Sequence, residues 1–292
     1  MPAGMTGLVP DWLLSVVAMA TVFTVMFSIG LGVAFGEFRF LWRRPGLMLK
    51  ALFAVLVAVP AIAIVVAQGL GLPRLAEVGL VLMAVSPGAP VALRKSLRSG
   101  GHKAFAPGLQ ISVAILAVVS MPLSIALLAQ YYGNSAAVDP WPLAKQVCVA
   151  QLVPLGLGML VRHFAASAAA WLEAKLSPVG TVLLLLLALL AVVEMFPLVM
   201  LAGTKVGIAI VLVTLGAIAV GQLLGGPAPG TRTAVAITAA ARNPGLALLV
   251  ASLNNAPSPI YAVIVAYLVV SAITVVPYVM WRRRSGADLQ RD

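Results

Sequence analysis

The chain has 292 residues, of which 62% are apolar and only 9% charged, and its formal net charge is +11. A soluble domain carries roughly 25% charged residues and about 45–50% apolar ones, so this chain cannot build the polar shell that water demands. The positive charge is no nucleic-acid footprint, because it gathers in a few loops and the tail between long apolar runs. The single cysteine, Cys148, excludes an intrachain disulfide and a thiolate metal cluster and reads as a packing residue.

A spanning helix needs about 20 predominantly apolar residues. Helices are favoured because lipid offers no partner to an unpaired backbone amide. The run after Asp11 is longer than the roughly 7–15-residue core of a signal peptide and reads as a first span, not a cleaved leader. About nine spans are expected, at 12–36, 47–69, 73–98, 103–131, 141–164, 175–197 (or 179–203), 204–226, 231–253 and 257–281. With that count, alternate loops face one side. That side holds Arg39, Arg43, Arg44, Lys50, Arg94, Lys95, Arg98, Lys103, Arg162, Lys175, Arg232, Arg282, Arg283, Arg284 and Arg291. Arg74, Lys145 and Lys205 fall on the other. The positive-inside rule then puts the N-terminus outside and the C-terminus in the cytoplasm. Trp12, Trp42, Trp141, Trp171 and Trp281 all fall at span ends or in loops, where an indole prefers the headgroup region.

The third and eighth spans are interrupted. Ser86-Pro87-Gly88-Ala89-Pro90 sits near the middle of one and Asn243-Pro244-Gly245 near the middle of the other. Ser and Asn are good N-caps, and proline suits the first helical position. Inside a helix, proline removes a hydrogen bond and clashes with the preceding turn. Each span is therefore expected to be two half-helices, the second starting afresh at Ser86 or Asn243. The two spans run in opposite directions, so the second halves point their N-termini at the midplane from opposite sides. That is the arrangement of an inverted repeat with two broken crossing helices. Helix N-termini present free amides and about half a positive charge, so a site there favours an anion. The bland alternative is that each proline merely kinks a packed helix.

Arg242 stands beside the second break. A central arginine costs at least about 2.5–3.5 kcal/mol on insertion scales, which something must offset. It is expected to contact a bound anion or to pair with Glu194, the one acid that reaches its depth if the sixth span is 179–203. Glu194 is then also the candidate for proton coupling. Thr238, Gln151, Ser112, Ser120 and Ser271 are neutral polar residues that either complete a site or make helix-packing hydrogen bonds.

Met26-Phe27 with Gly30 and Gly32, followed by Phe38, Arg39 and Arg43-Arg44-Pro45, resembles the start of proteins of the bile acid:sodium symporter family. So does the broken third span through Pro87-Gly88. Gln151 to Arg162, with Pro154 and Gly158, resembles a further helix of that family, and Ala241-Arg242-Asn243-Pro244-Gly245-Leu246-Ala247 resembles its second broken helix. The resemblance implies an all-α membrane fold with substrate held between two groups of helices. The core would be 47–131 and 204–281, the panel 12–36 and 141–203. Members often have ten helices, so the nine here look like that fold without its first.

Sodium-coupled members of the family usually follow the first Pro-Gly with Gly-Thr-Ala-Ser-Asn, where this chain has Ala89, Pro90, Val91, Ala92 and Leu93. On the second broken helix such members carry Glu-x-x-x-Gln-Asn. Here the Glu place is Thr238, the Gln place is Arg242, and only Asn243 matches. Sodium needs oxygen ligands and nearby negative charge, and these places offer apolar groups and a guanidinium. Arg242 is therefore expected to occupy the space and charge of a missing sodium ion.

The expected function is secondary transport of a small organic anion by alternating access, without sodium coupling, as uniport, exchange or proton-coupled movement. The alternatives are a sodium-dependent bile-acid-type symporter, an efflux carrier, a non-transporting membrane subunit and an intramembrane enzyme. The chain has no His-Glu-x-x-His motif, Asp-rich metal motif or Walker loop, and His102 and His163 are far apart in sequence. No catalytic residue, cofactor or metal is expected. The expected substrate-binding residues are Ser86, Pro87, Gly88, Gln151, Thr238, Arg242, Asn243, Pro244 and Gly245. The expected partners are the substrate and membrane lipid, with no nucleic acid and doubtful sodium. The expected location is a bacterial inner membrane.

Overall fold

The structure is a computed structural model, and it describes residues 11–32, 44–88, 90–131, 140–201, 203–254 and 256–288. The apolar runs become helices, and the described residues contain no strand. In chain order these are α1 (Asp11–Gly32), α2 (Pro45–Gly69), α3 (Arg74–Ala84), α4 (Pro90–Arg98), α5 (Phe105–Tyr131) and α6 (140–164). They continue with α7 (Ala166–Leu201), α8 (Gly203–Leu224), α9 (Pro229–Ala240), α10 (Pro244–Leu253) and α11 (Ser258–Asp288). Among the described residues seven segments are long and apolar enough to cross a bilayer, with Pro229–Ser252 counted as one across its break. The chain is an all-α polytopic membrane protein.

Two helices outrun their expected bounds. The loop expected between 164 and 175 is helical apart from Ala165, so α7 has 36 residues and contains Trp171, Glu173 and Lys175. At about 1.5 Å per residue it is roughly 54 Å long, against about 30 Å of hydrocarbon. The stretch Ala166–Leu176 is rich in Ala, Leu, Glu and Lys, all strong helix formers, so the charges that mark the edge of the apolar zone do not end the helix. In the same way α11 continues past Trp281 to Asp288. The first span is described only to Gly32, and 33–36 lie outside the described residues.

The sequence reading missed two π-turns, Ala54–Ala58 in α2 and Cys148–Leu152 in α6. Each is followed directly by a Val-Pro pair, Val59-Pro60 and Val153-Pro154. A proline in a helix cannot donate and crowds the preceding turn; widening that turn to the i→i−5 pattern relieves the crowding.

Small residues set the helix spacing, as they do where lipid supplies no hydrophobic drive. A Cβ on Gly30 would overlap the Leu155 carbonyl, and one on Gly158 would overlap the Phe27 carbonyl, so α1 and α6 cross backbone to backbone. Gly221 of α8 lies equally close to Ala236 of α9. Helix α1 packs chiefly on α6 and α7, while α8 packs on α2, α9 and α11, and α3 on α11. Large apolar side chains face outward on α1 (Val16, Met19, Phe23) and α7 (Val182, Leu185, Leu186, Leu189). A contiguous exposed apolar face of this kind is a lipid-facing surface in a membrane protein.

Candidate functional site

Both expected breaks are present, and they touch. Helix α3 ends at Ala84, residues 85–88 are not helical, and α4 begins at Pro90. Helix α9 ends at Ala240, residues 241–243 are extended or irregular, and α10 begins at Pro244. The Asn243 amide donates to the Ser86 carbonyl at 2.9 Å, joining the two breaks through the main chain. Ser86, Pro87, Gly88, Asn243, Pro244 and Gly245 are all buried.

The two restarts differ. Asn243 is the expected N-cap, its side-chain oxygen accepting from the Leu246 amide at 3.1 Å. Ser86 is not a cap. Its hydroxyl turns back and donates to the Leu82 carbonyl at 2.7 Å, and the helix resumes only at Pro90. Gly88 explains the delay, because its φ of +83° is a left-handed turn that L side chains disfavour. The chain needs this reversal before Pro90 can open α4.

Arg242 is 4% exposed, and its guanidinium is turned toward main-chain oxygen. Nη1 donates to the Val55 carbonyl at 3.0 Å and to the Ala84 carbonyl at 2.8 Å, and Nη2 donates to the Ala239 carbonyl at 2.6 Å. Each of these carbonyls is left over by an interruption. In the π-turn of α2, the Val59 amide bonds the Ala54 carbonyl, so the next donor, addressed to Val55, would be Pro60, which has no N–H. Ala84 closes α3, and its helical partner would be Gly88, beyond the break. Ala239 would receive the Asn243 amide, which is committed to Ser86. One cation thus satisfies three buried acceptors freed at three places. Proline at mid-span in 47–69 was the sequence signal that could have found Val55.

Thr238 lies buried on α9, one turn before Arg242. Gln151 lies in the π-turn of α6, fully buried, and both atoms of its amide lack a hydrogen-bond partner. It faces the first break: a Cβ built on Gly88 would sit 3.8 Å from Gln151 Oε1, 3.8 Å from Gln110 Nε2 and 3.7 Å from Val113 Cγ1. At the second break, a Cβ on Gly245 would meet Val22 of α1 at 3.0 Å and Leu187 of α7 at 3.9 Å. The breaks therefore abut α6 on one side and α1 with α7 on the other. Glu194 falls within α7, but its side chain lies outside the described residues. Farther along the broken third span, Arg94 of α4 donates to the Thr181 hydroxyl of α7 at 2.9 Å. Among the described residues no group of three His, Cys, Asp or Glu side chains could hold a metal ion.

The model of the Sodium Bile acid symporter family matches residues 19–201. The chain belongs to this family. The matched region takes in the first break and ends before the second. Among individual family proteins, the chain is 28% identical over 141 residues to the probable sodium/metabolite cotransporter BASS3, chloroplastic, of Arabidopsis thaliana, covering 48% of this chain and 32% of that protein. It is 29% identical over 140 residues to the uncharacterized sodium-dependent transporter YocS of Bacillus subtilis (strain 168), covering 48% and 43%. It is 30% identical over 155 residues to human sodium/bile acid cotransporter 4, covering 51% and 35%. The chain thus aligns with only about a third to two-fifths of the length of these relatives.

Proposed function

We propose that the chain is a secondary carrier that moves a small organic anion by alternating access, with Arg242 supplying permanently the positive charge that a coupling sodium ion supplies in sodium-dependent members of the family. The observation that carries this is the set of three main-chain carbonyls around one guanidinium. Converging carbonyls at helix breaks form a cation site, as half-helix C-termini do in carriers with discontinuous helices. A guanidinium is charged throughout the neutral range and offers several donors in one plane. With that charge built in, the crossing is completed without sodium.

Three further features support the reading. Thr238 and Arg242 replace the Glu and Gln that sodium-coupled members carry at these places, and Leu93 stands at an Asn place. Each break has its second half-helix next to helices of the α1, α6 and α7 group, so a ligand held there would meet these helices as well as the break segments. Helices α4 and α10 start at the breaks, and their N-termini favour negative charge. The anion contacts would come from these N-termini and the buried side-chain Nδ2 of Asn243, which has no partner in the structure. The guanidinium would stabilise the crossing and raise its potential from behind. Substrate would thus meet the break segments Ser86-Pro87-Gly88 and Asn243-Pro244-Gly245, with Thr238 and Gln151 alongside. Glu194 remains the candidate for proton coupling.

The test starts with a thermal-shift screen of carboxylates on the purified protein. Uptake of the best binder is then measured in proteoliposomes with sodium fully replaced by choline. Undiminished uptake in choline is the expected result, and loss of uptake there refutes the reading.

A further inference from the structure

Among the described residues, Gln151 is a fully buried side chain beside the first break whose amide oxygen and amide nitrogen both lack a hydrogen-bond partner. A buried polar group left unpaired is destabilising, and a carboxamide has two such ends. The residue sits in a π-turn, a distortion that often marks functional positions in helices. It also faces the first break, where glycine leaves room: the nearest atoms to a Cβ on Gly88 lie 3.7–3.8 Å away, and two of the three belong to the amides of Gln110 and Gln151. Helix α6, which carries Gln151, packs on α5, which carries Gln110, and also on α1 and α7. The amide therefore stands beside the first break, where the proposed carrier would take up its ligand.

We infer that Gln151 reads an uncharged hydrogen-bonding group of the substrate, a hydroxyl or a carboxamide, carried beside the anionic group. The inference rests on the carrier reading above for the anion itself. An amide offers one donor face and one acceptor face with no net charge. A carboxylate satisfies the donor but opposes the acceptor, and an alkyl group satisfies neither. A hydroxyl or carboxamide satisfies both. Gln151 thus sets specificity among anions: hydroxylated or amidated carboxylates are accepted over their plain alkyl counterparts.

The test uses the purified full chain and a panel of four- to six-carbon monocarboxylates in pairs, each with and without a hydroxyl at the 2-, 3- or 4-position. Binding is read by thermal shift and then by titration. The parent should bind at least one hydroxylated member roughly tenfold or more tightly than its deoxy partner. In Gln151→Met, which keeps the volume and removes both polar ends, the ratio should fall to near one. The unliganded midpoint of Gln151→Met should equal or exceed that of the parent, since the change removes an unpaired amide. No hydroxyl preference in the parent, a preference retained in Gln151→Met, or a lowered unliganded midpoint each overturns the inference. Sodium-dependent uptake of a preferred hydroxy acid would defeat the sodium-independence of the proposed function and leave this inference standing.

Discussion

Replacing Arg242 with alanine is the sharpest perturbation of the crossing. It strips the donors from the carbonyls of Val55, Ala84 and Ala239, all held at 2.6–3.0 Å in the parent. A buried acceptor left unpaired costs about 1–3 kcal/mol, so three cost roughly 3–9 kcal/mol. Against this, the variant no longer desolvates a guanidinium, a relief of several kcal/mol. The net expectation is a loss of a few kcal/mol, and three converging oxygens with no cation among them. Sodium should then bind where the parent has no use for it. At a hundred times its Kd it would restore about 2.7 kcal/mol. The assay is thermal unfolding of the purified parent and Arg242→Ala proteins in sodium chloride and in choline chloride at equal ionic strength. The parent midpoint should be the same in both salts. The variant midpoint should lie lower in choline and recover part of the difference in sodium. A parent stabilised by sodium, or a variant indifferent to it, refutes the assignment of Arg242 as the resident cation.

Two other expectations concern the frame around the crossing. Gly158→Ala should destabilise the protein by about 1–3 kcal/mol, because its Cβ meets the Phe27 carbonyl, whereas Gly156→Ala, with open space at the same helix, should be neutral or gain about 0.5–1 kcal/mol; thermal unfolding of both variants separates them. Arg282 donates to the Thr233 hydroxyl at 2.6 Å and to the Pro229 carbonyl at 3.0 Å, tying α11 to the start of α9. Arg282→Ala should therefore cost about 1–3 kcal/mol, while Arg283→Ala, at an exposed position, should stay within about 0.5 kcal/mol.

Much of this fold is legible in the residues. Long apolar runs have one physical solution in lipid, so α2, α5, α8 and α11 fall close to where hydropathy puts them. The two Pro-Gly breaks are legible for the same reason, since proline forbids a continuous ladder. What the residues hide is the consequence of a lone proline. Pro60 and Pro154 are each absorbed by a widened turn, and Val55 becomes an acceptor only because of that register change. The direction of Arg242 was hidden likewise: depth in the sequence says that a partner must exist, not whether it is an anion, an acid or three carbonyls from three helices. Polar residues mark the end of an apolar zone, not of a helix, which is why α7 begins well before Lys175.

The hydrogen bond from the Asn243 amide to the Ser86 carbonyl involves no side chain. Only a proline at position 243 could delete it outright, so the joint survives almost any exchange of the residues around it. On the proposed reading, the side chains of Thr238 and Arg242 exchange a mobile ion for a tethered one without rebuilding the main-chain joint beside them.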